Sequence, residues 1–574
     1  MNIIKNQSGT YKSAISTIIG GILIGSAFGL VVSLVSNCFV IGVKTLTDFR
    51  ENSLNNLPYL KIADFSLAPV IALLVAAVLV ILIKRMLGVQ RWHGPADSIY
   101  AAHRTDNELD VKTGLASTFA AFISASGGAS VGQYGPLVHF GATIGSYLKA
   151  KFASKHYTDI FIGCGVAAAI SAGFNAPIAG IIFAHEAILR HFSTRAIAPI
   201  TTASISAAWF SSNIFGGNAL FDLTAIDPDL KLVLPVVMIF GTLFGLVAVA
   251  FMATTRYFSR LTARSQFSSE SHILAAALTT GCIGVFIPEI LGLGTTPLGK
   301  ILNAEFSVTF LLLLVITKLL LSALCVGFGL FGGVFSPALF VGAAMGAVVG
   351  GGLSMISPDV SLITPLAICG MAAVAGAVIG APMAAVIIVL EMTLNYELAI
   401  AAMLGTVLSL VVSNTLFGHS FFDRQLLDRD IDISQGRGQL ILLETTVREL
   451  VAEDYVRFKP GMPCADAMEE LLKHSLTEGY VVSEDNRLLG KISMPSLVAV
   501  GADSPIDDIS DKQPIAIKHD ASLLQAIEVA SSFVGESIPV IELETRAMLG
   551  VVTEADLFQL YLSTQTKVVD LERA

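Results

Sequence analysis

Gly132-Gln133-Tyr134-Gly135-Pro136, followed by Gly141, Ala142 and Gly145, returns as Gly333-Val334-Phe335-Ser336-Pro337 with Gly342, Ala343 and Gly346, at a constant offset of 201. A second pair keeps nearly that spacing: Ala176-Pro177 leading to Glu186 recurs as Ala381-Pro382 leading to Glu391, offset 205. Two ordered matches at one spacing indicate two homologous halves, roughly 90–215 and 290–415. Pro suits the first turn of a helix, where its missing N–H is not needed, and the glycines before it let the backbone approach a ligand. Each copy therefore reads as a helix start, whose unpaired N–H groups and partial positive charge favour an anion without placing a full charge there. For either copy alone, glycine and proline that merely permit tight helix packing would explain the pattern as well. The repetition favours the anion site, because paired Gly/Pro-interrupted segments in two halves point to a substrate site near a bilayer midplane.

The composition around these motifs fits a membrane body. The chain of 574 residues is 54% hydrophobic and 14% charged, against roughly 25% charged in a soluble domain. That excludes a soluble globular enzyme, and the 50 Gly and 20 Pro suit packed transmembrane helices. Apolar stretches begin near Leu67, Thr113, Asp159, Ala196, Leu232, His272, Val308, Pro365 and Ala399. Several are shorter than the about 20 residues needed to cross a bilayer, so some helices are expected to stop inside the membrane. Lys5 and Lys12 precede an apolar run over residues 14–43, too long for a signal-peptide core. It reads as a retained first helix with a cytoplasmic N-terminus. The six cysteines lack CxxC spacing, which argues against a zinc site or disulfide scaffold and for apolar packing; no metal is expected.

Charge locates a boundary. Residues 441–574 carry 11 Lys+Arg and 23 Asp+Glu, a net of −12, which leaves +2 on the first 440. An acidic tail on a nearly neutral apolar body implies a membrane domain, 1–435, followed by a cytosolic one, 436–574. Nucleic acid suits neither as a partner.

On these motifs, with Phe174-Asn175-Ala176-Pro177 and Glu391-Met392-Thr393, residues 15–430 resemble the CLC family of chloride channels and chloride/proton antiporters, whose anion-lining signatures are GREGP and GxFxP. The resemblance implies an all-α polytopic membrane domain built as an inverted repeat with broken helices. It also implies a homodimer, each subunit with its own anion pathway, in a bacterial inner membrane with both termini cytoplasmic. The expected pathway residues are His93, Gly94, Gly132, Gln133, Tyr134, Gly135, Pro136, Gly333, Val334, Phe335, Ser336, Pro337 and Phe422. By this resemblance the family's gating glutamate falls on Tyr134, a phenol that stays neutral at physiological pH yet can block an anion or donate to it. The internal proton glutamate falls on Ala187, next to Glu186. His185 is the nearest alternative proton carrier, although neighbouring helix residues point about 100° apart.

The family's pore serine falls on His93, within Trp92-His93-Gly94-Pro95, and its tyrosine on Phe422, which has no hydroxyl. Chloride would then be held mainly by the backbone N–H groups of Val334 and Phe335, with His93 as a donor. An imidazole there would make anion occupancy pH-sensitive; a satisfied loop histidine is the plain alternative. Lys318 and Arg190 are the other charges near apolar segments. Lys318 would either raise the positive potential of the pathway or snorkel to the surface.

The tail repeats an α/β unit. Gly479-Tyr480-Val481-Val482 with Leu489-Gly490-Lys491-Ile492 recurs as Ser537-Ile538-Pro539-Val540-Ile541 with Leu549-Gly550-Val551-Val552. These copies, about 447–500 and 505–563, resemble a tandem pair of CBS domains of α+β structure. In the second, Thr553 and Asp556 match the family's nucleotide-binding Thr and Asp; in the first, Ser496 replaces the Asp. An adenine nucleotide site and a ligand-free dimerisation module both fit; no cofactor is required for transport.

The expected function is a chloride-conducting membrane protein and not an enzyme. It is read as an uncoupled channel because both coupling glutamates are replaced, with bromide and nitrate as further candidate anions. The alternatives are a chloride/proton antiporter with another proton route, through His93 or His185, and a nucleotide or ionic-strength sensor in which transport is weak.

Overall fold

The structure is a computed structural model, described for residues 2–54, 60–62, 65–104, 106–152, 158–216, 229–356, 362–434 and 436–573. The side chains of Lys5 and Lys12 lie outside the described residues. Two compact units divide the chain, Met1–Ile431 and Asp432–Ala574.

The first unit is helical. Its first half comprises α1 (Asn2–Asn52), a short hairpin of β1 (Lys61–Ile62) and β2 (Phe65–Ser66), α2 (Ala68–Leu87), α3 (Pro95–His103), α4 (Val111–Gly127), α5 (Tyr134–Phe152), α6 (Thr158–Phe174), α7 (Pro177–Phe183) and α8 (Thr194–Phe215). The second half runs through α9 (Leu230–Arg264), α10 (Ser269–Phe286), α11 (Thr295–Leu302), α12 (Val308–Phe328), α13 (Phe335–Ile356), α14 (Ile363–Ile379), α15 (Pro382–Thr393) and α16 (Tyr396–Leu416), and α17 (Phe421–Leu427) closes the unit. The packing repeats with the order: α1 lies on α6 and α8 as α9 lies on α14 and α16, α2 on α4 as α10 on α12, and α5 on α6 as α13 on α14. Each half therefore starts two helices earlier than the motif spacing suggests, at α1 and α9. Those front helices are plain apolar runs, without the Gly-Pro signature by which the halves are recognised.

The local causes of these elements are visible in the residues. Asp110, Asp229, Ser307, Asn395 and Ser420 cap α4, α9, α12, α16 and α17 by accepting a first-turn backbone N–H, the usual way an N-cap side chain satisfies an orphan donor. Pro95, Pro177 and Pro382 open α3, α7 and α15, where a missing N–H costs nothing. α14 is apolar on every face and buried from Pro365 to Ile379, as a helix without a polar face must be. Six helices among the described residues are long and apolar enough to span a membrane, and four shorter apolar ones, including Asp159–Phe174 and Pro382–Thr393, are not. Cys38 and Cys282 depart from the expected packing role: both are exposed, while the other four cysteines are buried.

In the second unit, α18 (Arg437–Glu444) precedes two similar modules. In the first, β3 (Val456–Phe458) runs parallel to β4 (Glu478–Val482), which is antiparallel to β5 (Leu488–Ser493), with α19 (Cys464–His474) and α20 (Met494–Val498). The second repeats this with β6 (Ile517–Lys518), β7 (Ile538–Ile541) and β8 (Met548–Val552), and with α21 (Leu523–Ala530) and α22 (Glu554–Arg573). Each module has its own apolar core, one around Phe458, Leu471 and Ile492, the other around Leu523, Val540 and Val552. The Tyr480 hydroxyl joins them by donating to the Ser537 carbonyl at 2.6 Å.

Candidate functional site

The two repeated motifs meet. Gly132 and Gly333 exchange backbone hydrogen bonds, N to O 2.7 Å in one direction and 2.6 Å in the other. The approach leaves no room for side chains: a Cβ on Gly132 would lie 2.8 Å from Ser336 Oγ and 2.9 Å from the Gly333 oxygen. The N–H groups of these two glycines serve each other, and the close approach they allow is between the halves. The chain reaches the junction in the same way from both sides, because α4 and α12 end at Gly128 and Gly329, each left-handed with φ 104° and 97°.

Three helix starts converge here. A Cβ on Gly135 would stand 3.0 Å from the Gly333 Cα and 3.6 Å from Pro95 Cγ, which puts the first turns of α3, α5 and α13 side by side. The first N–H groups of any helix lack intrahelical acceptors and carry partial positive charge. Pro136 and Pro337 each occupy the third helical position, so the prolines forfeit no helical bond. Val334, Phe335 and Ser336 are buried. Gln133 Oε1 and Ser336 Oγ are buried without a partner, an expensive state for polar atoms outside a site that uses them.

Tyr134 is 3% exposed and held among aromatics. Its ring stacks on Phe174 with centroids 3.6 Å apart and planes at 18°, and both meet the Phe335 ring edge-on, at 5.9 and 5.4 Å. The hydroxyl donates to the Gly173 carbonyl at a long 3.4 Å. Three motifs thus contribute one ring each. Phe174 was visible in its Phe-Asn-Ala-Pro stretch, but nothing local marks it as the stacking partner of Tyr134.

His93 is half-buried. Its backbone N–H donates to Ser117 Oγ at 2.9 Å, while Nδ1 is buried without a partner. Its ring lies 5.9 Å from that of His139, a residue that sequence reasoning missed. His139 is fully buried, shares a 2.8 Å hydrogen bond with Ser98 Oγ through Nδ1, and has no partner for Nε2. The signal for it was a histidine three positions beyond Pro136, among apolar residues in the first turns of α5. Gly94 opens α3. Phe422, 4% exposed, lies on α17, which packs against α3 and α14. The structure therefore gathers the repeated Gly/Pro motifs at one junction and places α3, which follows the His93 turn, beside α17, the helix of Phe422.

Ala187 is buried on a π-helical turn, Ala184–Leu189, that extends α7. Glu186 beside it is engaged: its carboxylate accepts from Met383 N at 3.0 Å and Ala384 N at 2.8 Å, at the start of α15. Glu391 does the same at the start of α7, accepting from Ile178 N at 3.0 Å and Ala179 N at 2.7 Å. Each half thus caps a helix of the other. The 205-residue offset held this information, since each Glu follows one Ala-Pro start and answers the other. His185 Nδ1 is within 3.0 Å of the His191 carbonyl, and the ring stacks on Phe192.

Lys318 does not snorkel. It is 0% exposed, and Nζ donates to the Ile290 and Gly292 carbonyls at 2.9 and 3.1 Å with the Phe340 ring 5.2 Å away. Midway along α12, its side chain finds carbonyls nearer than any surface. Arg190 pairs with Asp423 of α17. In the second unit, Thr553 Oγ1 donates to Asp556 Oδ2 at 2.6 Å and accepts from Asp556 N at 3.2 Å, so the two form a reciprocal cap at the head of α22. Ser493 and Ser496 are hydroxyl to hydroxyl at 2.9 Å in the first module.

Comparison with known proteins gives the family and the fold. A family profile described as "Voltage gated chloride channel" matches residues 72–414, and one described as "CBS domain" matches 447–503 and 506–563. The voltage-gated ClC-type chloride channel ClcB of Shigella flexneri is 28% identical over 345 residues, 58% of this chain and 80% of that protein. A ClcB-like chloride channel protein of Ralstonia nicotianae is 26% identical over 339 residues, 58% and 79%. Among solved structures, a slow cyanobacterial Cl⁻/H⁺ antiporter superposes with TM-score 0.64 at 21% identity, covering 71% of this chain and 97% of that one. A eukaryotic CLC transporter gives TM-score 0.61 at 19% identity and covers 93% and 97%.

Proposed function

This chain belongs to the voltage-gated chloride channel family, with two CBS domains at its C-terminus, and we propose that it conducts chloride passively, as a channel without proton exchange. One observation carries the reading: the two positions that resemblance assigns to coupling carboxylates hold Tyr134, packed between Phe174 and Phe335, and Ala187. Antiport needs a titratable group that alternates with the anion, whereas conduction needs a continuous path with weak, multiple sites. Helix starts and unpartnered polar atoms supply such sites without a titrating carboxylate. Tyr134 then acts as a neutral plug. Loss of the serine and tyrosine hydroxyls, to His93 and Phe422, relaxes selectivity toward bromide and nitrate. The protein works as a homodimer in a bacterial inner membrane with both termini in the cytoplasm, by analogy with its family. Simultaneous chloride and proton recording on reconstituted liposomes tests the reading.

A second reading, proton exchange through histidines, draws on His93 and His139, which stand ring to ring with one unpartnered nitrogen each. In the channel reading His93 makes conduction pH-sensitive: burial disfavours its imidazolium, so current rises only as pH falls below the ordinary histidine range, where a cationic imidazole attracts the anion. His93→Ala is expected to flatten that dependence, read as liposome chloride efflux from neutral pH down to roughly pH 4. An unchanged profile removes His93 from the path.

The CBS pair is proposed to bind an adenine nucleotide through Thr553 and Asp556, whose mutual cap would open to admit it. Calorimetric titration of the full-length protein with ATP is expected to give binding that Asp556→Ala abolishes. Equal heats in both proteins, or none in the native chain, would leave the pair as a dimerisation module.

A further inference from the structure

Two walls of the proposed pathway are tied to one carboxylate. Asp97, in the first turn of α3, is 7% exposed and engaged on both oxygens. Oδ2 accepts from the Gly94 backbone N–H at 2.9 Å and from Arg91 Nη1 at 3.1 Å. Oδ1 accepts from Arg91 Nη2 at 2.6 Å and from Arg429 Nη1 at 2.8 Å. Arg91 and Gly94 bracket His93 in the chain, and Arg429 lies two residues beyond the end of α17, the helix of Phe422. The turn of His93 and the helix of Phe422 are thus held to a common point.

The arrangement exceeds what a helix cap needs. The bond from Gly94 alone would satisfy an orphan donor, and one arginine would neutralise the charge. Instead Arg91 grips the carboxylate in bidentate fashion, the geometry that fixes orientation as well as distance. Arg429 arrives from the far end of the unit and shares Oδ1 with it. α17 is pinned elsewhere too: Asp423 pairs with Arg190, and Asp428 accepts from Arg256 Nε at 2.9 Å. Those pairs hold it to the end of the π-helical turn and to α9, while Asp97 holds it to the His93 turn. Two guanidiniums facing each other across one oxygen repel, and the carboxylate charge is what keeps them together.

We infer that Asp97 is a positioning residue for anion permeation: by clamping Arg91 and Arg429 it fixes the separation between His93 and Phe422, and so sets which anions pass. The inference rests on the reading of those two residues as pathway walls. It has a direction. Without the negative charge the two arginines part, the gap widens, and larger anions gain on chloride.

The test uses the full-length protein in liposomes, with efflux measured in chloride, bromide and nitrate. In Asp97→Asn the nitrate-to-chloride rate ratio is expected to rise by about tenfold, the worth of one charge-assisted hydrogen bond. Adding Arg429→Gln to that variant should raise the ratio no further, because both substitutions break the same tie between the His93 turn and α17, and Asp97→Glu should retain the native ratio. A merely structural role would lower all three fluxes together and leave the ratio alone, which would overturn the inference. Should Asp97→Asn fail to fold, Arg429→Gln alone keeps the Arg91 pair intact and must still raise the ratio; an unchanged ratio there overturns the inference equally. A native chain that passes no anion at all would instead overturn the pathway reading beneath it.

Discussion

Chloride efflux through Tyr134→Ala is expected to exceed that of the native chain by about tenfold, the equivalent of removing roughly 1.4 kcal/mol of barrier. The magnitude follows from the stack. An anion that passes the junction of α5 and α13 must part the Tyr134 ring from Phe174 and Phe335, which lie at 3.6 and 5.9 Å, and aromatic pairs contribute about 0.5–1.5 kcal/mol each beyond their burial. Alanine removes both contacts. Phenylalanine keeps them and gives up the long bond to the Gly173 carbonyl, so Tyr134→Phe should conduct nearly as the native chain does. Glutamate tests the opposite case: a carboxylate among helix starts competes for the place of the anion when ionised and yields it when protonated. Flux through Tyr134→Glu should therefore rise as pH falls. Since truncating a buried ring costs about 3–5 kcal/mol of stability, each flux is to be normalised to folded protein by gel filtration. If neither alanine nor glutamate changes flux or its pH dependence, the pathway lies elsewhere.

The second large effect concerns folding. At the crossing of α5 and α6, a Cβ on Gly165 would lie 2.0 Å from the Gly141 oxygen, and one on Gly141 would lie 2.2 Å from the Gly165 oxygen. The second half repeats the crossing, with Gly342 and Gly370 each 2.3 Å from the oxygen of the other. The obstacle is backbone in every case, so no rotamer change relieves it and the helices must separate. Overpacking a tight core ordinarily costs about 1–3 kcal/mol and sometimes more; Gly165→Val and Gly370→Val belong at the upper end. Both are expected to lose monodisperse protein in detergent or to unfold at a clearly lower temperature, whereas Gly352→Ala, with nothing within 4 Å of its Cβ, should match the native chain. Equal unfolding temperatures for all three would refute the close crossing.

These two predictions also show where the sequence was legible. Gly141 and Gly342 belong to the repeated motif, so these two and the helix starts beside them could be read from spacing, whereas their partners Gly165 and Gly370 emerge only from the packing. Small residues and prolines have few uses, and their recurrence at one offset restricts the folds that can use them twice. The helices α1, α2, α9 and α10 are long apolar runs with charges toward their ends, which marks them as buried or membrane-spanning but does not say which half they belong to. The site was legible to the same depth. Tyr134, Phe174, Val334 and Phe335 stand in motifs, whereas His139, and the stacking of Phe174 on Tyr134, come from tertiary packing that no local pattern encodes. Lys318 could have reached for the surface or stayed buried, and the carbonyls of Ile290 and Gly292, distant in sequence, decide it. Asp97 sits beside the His93 motif, but its partner Arg429 comes from the other end of the unit.

Proton coupling separates the channel from the antiporter. The most direct measurement imposes a chloride gradient across liposomes that contain the full-length protein and records external chloride and pH together, with potassium and valinomycin carrying the compensating charge. The prediction is chloride efflux with no accompanying proton movement, at acid and neutral pH alike. Proton uptake in fixed proportion to chloride, driven against a proton gradient, would contradict it and make the protein an antiporter despite Tyr134 and Ala187.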